Sequence, residues 1–148
     1  MKTIYSVIIG LTILVTNVSY GQTNPERDLL VGEWEFQLDQ SFSEISNVSK
    51  SYLDSIPIIE LQLIKRNYDG RRIVFESNGA YRQIQGNGAI VKGNWTYDSE
   101  LKTIEIILPN GALFEQSVVK MNQDNLVIVP KTEENVNMII NVWYFNRL

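Results

Sequence analysis

Apolar and polar residues alternate strictly along residues 30–38, near the start of the chain. The even-numbered positions are small or apolar: Gly32, Trp34, Phe36 and Leu38. The odd-numbered positions between them are polar. Side chains of a β-strand point to opposite faces in turn, so this pattern predicts a strand with one buried face and one wet face. We therefore expect Trp34 and Phe36 to face a core.

The period changes to three and four residues between positions 40 and 56, which is the spacing of an amphipathic helix. The apolar positions that carry it are Phe42, Ile45, Val48, Tyr52, Leu53 and Ile56. Ser41 and Glu44 have the spacing of a capping box at the start of such a helix. Several serines lower the helix propensity here, so the segment is predicted to form one helix or two short turns that end at Pro57.

From residue 59 onward, alternating segments separated by turn-forming dipeptides such as Asn78-Gly79 predict successive β-strands. With the first strand included, nine candidate strands result: residues 30–38, 59–63, 72–76, 81–85, 89–97, 103–108, 112–121, 126–129 and 136–145. Short connections force neighbouring strands to pair antiparallel, because a parallel pair needs a long crossover.

A strand meander of this length avoids exposed edges either by closing into a barrel or by folding over as a sandwich. Sandwiches usually need long crossings between their two sheets, and none follows residue 59. The predicted fold is therefore an all-β, antiparallel, up-and-down β-barrel of about eight to nine strands, with a short helical segment after the first strand.

The first 21 residues have the pattern of a secretory signal peptide. Lys2 supplies one positive charge, a mostly apolar run of about a dozen residues follows, and small residues precede a cleavage position after Gly21. The alternative is an N-terminal membrane anchor, although the run is short for a span of about 20 residues. The predicted organisation is a signal peptide at 1–21, a short leader at 22–28 and one barrel domain at 29–148, periplasmic or extracellular after cleavage, with no membrane span remaining.

The amino-acid composition excludes several classes of function. The chain has no cysteine and no histidine, which rules out Ser-His-Asp and Cys-His catalysis and removes the commonest transition-metal ligand. Loss of the signal peptide removes one lysine and leaves a net charge of −5, which does not suit a nucleic-acid surface. We expect no catalytic residues, no metal, no cofactor and no nucleic-acid partner, and no oligomeric state is predicted.

The charged clusters are predicted to lie on the solvated surface. Carboxylate pairs occur at Glu33/Glu35, Asp98/Glu100 and Glu133/Glu134, and a buried pair could hydrolyse glycosides, but these lie on predicted outer faces or in turns. Calcium at Asp98-Ser99-Glu100 or at Asp124-Asn125 is a weaker alternative, because neither segment has the about five or six spaced oxygen ligands of a calcium loop. The single basic cluster comprises Lys65, Arg66, Arg71 and Arg72. It is expected on a solvated rim, with the alternative that it attracts an anionic ligand that enters at that end.

Aromatic and amide residues of one parity are the candidates for a ligand-lined interior. They are Phe36, Phe75, Tyr81, Gln83, Trp95, Tyr97, Phe114 and Trp143. A filled core is the alternative, because a barrel of about eight strands is just wide enough for its own side chains or for one small ligand. If Tyr81, Gln83 and Gln85 face inward, the interior is expected to hold water or a ligand. A dry core tolerates such polar groups only when they have hydrogen-bond partners.

Three motifs together resemble the small secreted lipocalin-like domains of Bacteroidetes, over roughly residues 29–145. They are Gly32-Glu33-Trp34 on the first strand, Phe75-Glu76-Ser77-Asn78-Gly79-Ala80-Tyr81 at a hairpin, and Gly93-Asn94-Trp95-Thr96-Tyr97-Asp98 before a turn. The resemblance implies a lipocalin-like barrel that can hold a small apolar molecule.

The resemblance also implies that specific side chains close one end of the barrel. In lipocalins, the Gly-x-Trp tryptophan closes one end and a basic side chain near the last strand packs across it; Trp34 and Arg147 match these by position, and Gly32 would let another segment approach. The chain departs from the family in having no disulfide and no helix after the barrel. We expect a non-catalytic protein that binds a small apolar or amphipathic ligand, or else a filled barrel that acts as a structural or protein-interaction module in the cell envelope.

Overall fold

The computed structural model describes residues 24–131 and 138–148. Predictions for residues 1–21 and for Glu133, Glu134 and Val136 lie outside these ranges. Four helices and eight strands are described: α1 Pro25–Leu30, β1 Gly32–Phe36, α2 Leu38–Ser43, α3 Asn47–Ser55, α4 Ile58–Tyr68, β2 Arg72–Phe75, β3 Ala80–Ile84, β4 Ile90–Asp98, β5 Thr103–Ile107, β6 Leu113–Met121, β7 Asn125–Pro130 and β8 Trp143–Arg147.

The strands form a closed barrel in the order β1 to β8, and every neighbouring pair is antiparallel. β8 returns beside β1, with Trp34 opposite Arg147 and Phe36 opposite Phe145. The predicted all-β, up-and-down, antiparallel barrel is thus confirmed, with short helices after the first strand as expected. Closure satisfies both edges of the sheet.

The second predicted strand, residues 59–63, is wrong, because this segment belongs to helix α4. Its residues carry two periods at once. Ile59, Leu61 and Leu63 alternate, but Leu61, Ile64 and Tyr68 recur at three- and four-residue steps and are the ones that pack against the core. Ile59 and Leu63 remain exposed, so tertiary packing selected the helical period for this short apolar run.

This correction reduces nine predicted strands to eight. It also changes the role of Pro57, which stands at the N-cap of α4 and ends α3 only indirectly, since Ile56 lies between. The last strand begins at Trp143, not at residue 136, and residues 138–142 of its predicted range are irregular.

The predicted capping box at Ser41 and Glu44 is also wrong. Ser41 lies inside α2, is almost fully buried, and accepts a 3.1 Å hydrogen bond from the backbone N–H of Tyr144 in β8. The serine that caps a helix is Ser46, whose oxygen accepts the N–H of Ser49 at the start of α3. Ser41 therefore ties the helices to the barrel wall.

Part of the predicted leader is helical as well. Asn24 caps α1 by accepting the N–H groups of Glu26 and Arg27, and Pro25 occupies the first turn, where its missing N–H costs nothing. No helix in the described ranges is long and apolar enough to cross a membrane.

Candidate functional site

One end of the barrel is closed by Trp34, Arg147 and Gly32, the three residues predicted to lie there. The guanidinium of Arg147 stacks over the Trp34 ring, its central carbon 4.1 Å from the ring centroid. The indole N–H of Trp34 donates to the carbonyl of Leu30 at 2.8 Å. Gly32 has φ +142°, and a Cβ there would lie 2.4 Å from an Arg147 nitrogen.

Arg147 also joins three separate segments of backbone at this end. Its nitrogens donate to the carbonyls of Val31 at 2.9 Å and Leu29 at 2.5 Å, and to that of Gln123 in the turn after β6. Charge-assisted bonds of this kind are roughly twice as strong as neutral ones. Arg147 therefore fixes the start of β1, the end of β8 and a turn relative to one another.

Helix α1 covers the same end. Arg27 stacks on Trp95 with 4.5 Å between the guanidinium carbon and the ring centroid, and donates to the carbonyl of Ser77. The Glu26 carboxylate accepts a 2.6 Å bond from Lys102 and one of 3.1 Å from the Tyr97 hydroxyl. The bond from Lys102 lowers the pKa of Glu26, whereas partial burial, with the bond to Glu26, raises the pKa of Tyr97 to about 12.

Above this closed end the interior is filled with aromatic rings. Phe75 packs on Tyr81 and Trp95 with centroid distances of 5.6 and 4.9 Å. Phe36 similarly contacts Phe145 at 5.5 Å and Tyr68 of α4 at 5.6 Å. The predicted interior residues Phe36, Phe75 and Trp95 are buried in this aromatic packing and are not among the lining residues of the cavity described next. The Tyr97 hydroxyl instead bonds to Glu26 of α1.

The opposite end of the barrel contains a cavity of about 550 Å³. It lies between the strand ends near the β5–β6 turn and the segment before β8, and its walls are mainly aliphatic and aromatic. The residues that line it are Tyr81, Gln83, Val91, Ile106, Leu108, Leu113, Phe114, Glu115, Gln116, Pro130, Lys131, Met138 and Trp143. Four of the eight predicted interior residues, Tyr81, Gln83, Phe114 and Trp143, therefore meet at one cavity.

The register explains why these side chains converge. Gln83 lies opposite Val91, and Phe114 lies opposite Ile106, which is buried. Because directly paired residues of neighbouring strands share a face, Phe114 points to the interior side although 52% of its surface is exposed. It stands at the rim of the cavity and not in the packed core.

Sequence reasoning missed Gln116 and Leu108 as lining residues. Gln116 is two positions beyond Phe114 on β6, so the parity that selected Phe114 also selects Gln116. Met138 had no such signal, because it precedes β8 in an irregular stretch that a strand pattern does not place.

Arg71 corrects the interpretation of the basic cluster. It was expected on a solvated rim, but it is only 7% exposed. It lies inside the barrel at the end where α2, α3 and α4 connect β1 to β2, which we call the helical end. Its guanidinium carbon is 4.1 Å from the Tyr68 ring centroid and 5.3 Å from that of Trp143, which lines the cavity. Burial lowers the pKa of Arg71. The neighbouring Arg72 does lie toward solvent, paired with Glu33 at 2.6 Å.

The cavity and its surroundings carry several polar groups. The Tyr81 hydroxyl donates to the amide oxygen of Gln83 at 3.1 Å. Burial raises the pKa of Tyr81, so it is a neutral donor at any physiological pH. Three buried atoms have no hydrogen-bond partner in the described structure: Arg71 Nε, Gln85 Oε1 and Gln116 Oε1. The interior at this end is thus apolar with a few unpaired polar groups.

The weaker calcium alternative gains no support. Asp98 accepts the backbone N–H groups of Glu100 and Leu101, which is the geometry of a polar turn. Within residues 24–131 and 138–148, no group of three or more acidic side chains could hold a metal ion.

Comparison with solved structures shows a likeness in fold at low sequence identity. No protein-family model matches the chain, and no curated protein matches it. A crystal structure of a DUF4847 family protein from Bacteroides vulgatus is similar at 15% sequence identity and a TM-score of 0.44, covering 84% of this chain and 96% of that one.

Proposed function

We propose that this protein is an exported, lipocalin-like barrel that binds a small apolar or amphipathic molecule without catalysis. The cavity of about 550 Å³ beside Tyr81, Phe114 and Trp143 is the observation that carries the proposal. Its volume falls within the range of about 300 to 1,000 Å³ typical of small-molecule sites. Its walls also have the expected composition, mostly apolar with a few polar groups to orient the guest.

In this proposal one end of the barrel stabilises the fold and the other end binds the ligand. The closed end, where Arg147 stacks on Trp34, is filled and satisfied by hydrogen bonds, so it holds the fold. The other end leaves space and unpaired polar atoms, so it receives the ligand. An apolar guest would replace water along the walls and gain about 25 cal/mol for each Å² that it buries.

Binding can be tested with decan-1-ol as probe, by calorimetry and by tryptophan fluorescence. Trp143 lines the cavity, so its emission should change on binding, and a Trp143→Phe variant should lose most of that change. Val91→Phe adds bulk to the cavity wall and should weaken binding by about tenfold or more. Val119→Phe makes the same substitution at an exposed position of β6 and is the matched control.

Two results would reject ligand binding as the function. One is a protein that takes up no decan-1-ol and that, purified from its own host, carries no small molecule in native mass spectrometry. The other is binding that Val91→Phe and Val119→Phe affect equally, which would place the probe outside the cavity.

Export rests on the pattern of residues 1–21 and has its own test. N-terminal sequencing of protein recovered from the host envelope or medium should start at Gln22. Recovery of a chain that still begins at Met1 would contradict cleavage and favour the alternative of an N-terminal anchor.

A protein-interaction module is the second candidate, and the exposed apolar residues of the helices favour it. Val48 and Tyr52 of α3 and Ile58, Ile59 and Leu63 of α4 are between 51% and 72% exposed. Such a patch is typical of contact surfaces. Since deletion of α2 would remove the Ser41 bond to Tyr144, point variants are the cleaner test.

Ile59→Glu combined with Leu63→Glu should leave the fold intact, because α4 has no fully buried residue. Gln62→Glu, between them, is the control for added charge. Loss of a cross-linked partner with unchanged decan-1-ol affinity would favour the interaction module. Faster ligand exchange with no lost partner would instead identify the helices as a lid on the cavity.

A further inference from the structure

The three unpartnered buried atoms are not scattered over the molecule. Arg71 and Gln85 lie one residue beyond the Arg72–Ile84 pair that ends the β2–β3 register. Since side chains alternate along strands, both take the parity of the interior residues Ile73 and Gln83. Gln116 lies on the wall of the cavity itself. All three therefore belong to the interior at the helical end of the barrel.

Arg71 is the most costly of the three to leave unpaired. A buried cation normally has a carboxylate partner, because removing a charge from water is expensive. The four ion pairs of the described residues use Arg72, Arg82, Lys102 and Lys131, and none involves Arg71. Two aromatic faces and a 3.4 Å bond to the carbonyl of Asn67 hold its guanidinium instead.

Arg71 adjoins the cavity through residues that line it. Its guanidinium lies against Trp143, and its charge acts on the Tyr81 hydroxyl. Trp143 and Tyr81 both belong to the cavity wall. A ligand whose polar end lies between these two side chains would thus meet a positive charge, while its apolar part lies among Ile106, Leu108 and Phe114.

We propose that Arg71 is the anion subsite of this cavity and that the ligand is a single-chain carboxylic acid, its carboxylate held by Arg71 and its chain by the apolar wall. This inference rests on the proposed ligand-binding function and specifies the ligand class. It assigns to Arg71 Nε and the adjoining guanidinium nitrogen the fork-shaped contact that carboxylates accept.

A singly charged acid fits better than a doubly charged one. Lys131, the basic residue among those that line the cavity, lies 3.6 Å from Glu115 and is already compensated. One unpaired guanidinium balances one carboxylate, whereas a phosphate dianion would remain partly unpaired in a low-dielectric interior. The carboxamides of Gln85 and Gln116 add neutral hydrogen-bonding capacity without charge.

The test compares decanoate with decan-1-ol, which share a chain and differ in charge at neutral pH. Decanoate should bind the natural protein at least about tenfold more tightly than the alcohol, and Arg71→Gln should abolish that preference while retaining alcohol binding. Arg66→Gln removes the same charge from an exposed position of α4 and should leave the preference unchanged.

A second variant keeps the test decisive if Arg71→Gln does not fold. Gln85→Glu is nearly isosteric and supplies Arg71 with an internal carboxylate, so it should lower decanoate affinity about tenfold or more and spare decan-1-ol. The proposal fails if the natural protein binds acid and alcohol equally, or if the preference survives in Arg71→Gln or Gln85→Glu. Failure of both probes to bind would instead reject the proposed function.

Discussion

Substitution of Gly32 by alanine gives a sharp test of how the closed end is built. Gly32 has φ +142°, a backbone conformation that alanine adopts only under strain, and its new Cβ would lie 2.4 Å from an Arg147 nitrogen. That nitrogen cannot move freely. Arg147 bonds to the carbonyls of Leu29, Val31 and Gln123 and stacks on Trp34.

The expected loss of stability has two parts. Backbone strain at a position of this kind costs about 1 to 3 kcal/mol. Displacing the guanidinium far enough to relieve the clash costs at least one charged hydrogen bond, about 1.5 to 3 kcal/mol. Together they predict that Gly32→Ala lowers the free energy of unfolding by about 2.5 to 6 kcal/mol, a large share of the roughly 5 to 15 kcal/mol that stabilises most domains.

The parts can be separated by urea unfolding of four proteins in a double-mutant cycle. In an Arg147→Ala background the clash is gone, so Gly32→Ala should cost only the strain of about 1 to 3 kcal/mol. Gly111→Ala is the matched control, because Gly111 has φ +84° and nothing within 4 Å of the new Cβ. It should cost about 1 to 2 kcal/mol, the strain alone.

Two outcomes would refute this reasoning. If Gly32→Ala costs no more than Gly111→Ala, Arg147 is not held firmly enough to resist displacement. If Gly32→Ala costs the same with and without Arg147, the guanidinium is not what the methyl group meets, and the closed end has another physical basis.

Three further predictions concern stability. Trp34→Ala should lower the free energy of unfolding by about 3 to 5 kcal/mol, as large core truncations do; reduced ligand affinity with unchanged stability would instead place Trp34 in the binding site. Ser41→Ala should cost about 1 to 3 kcal/mol, because the Tyr144 N–H loses its acceptor, and Ser43→Ala at an exposed position of the same helix should cost less. The pKa of Tyr97 is about 12 when folded and about 10 when unfolded, so its contribution is complete below pH 10 and is lost as the pH rises to 12. Tyr97→Phe should therefore lose less stability than the natural protein over that range, and an identical decline in thermal unfolding temperature would contradict the assignment.

The sequence by itself determined the strand meander, and the resemblance of its motifs to lipocalin-like domains implied the closed end. Period-two segments joined by Asn-Gly and similar turns can pair only with their neighbours, so an antiparallel barrel follows from local rules. Alternation along the strands also predicted which side chains face the interior, among them Trp34, Phe75, Tyr81, Trp95 and Trp143. Parity depends only on the strand to which a residue belongs, and each of these residues is buried in the barrel.

Tertiary structure alone decided whether the segment 58–68 forms a helix or a strand. It also decided which interior side chains line a cavity and which are packed. Both periods were present in that segment, and contact of Leu61, Ile64 and Tyr68 with the core favoured the helix. Arg71 belongs to a cluster of four basic residues in the sequence, yet it is buried and its guanidinium stacks on Tyr68 of α4. Burial and cavity volume depend on side chains from segments far apart in the chain, so no local pattern contains them.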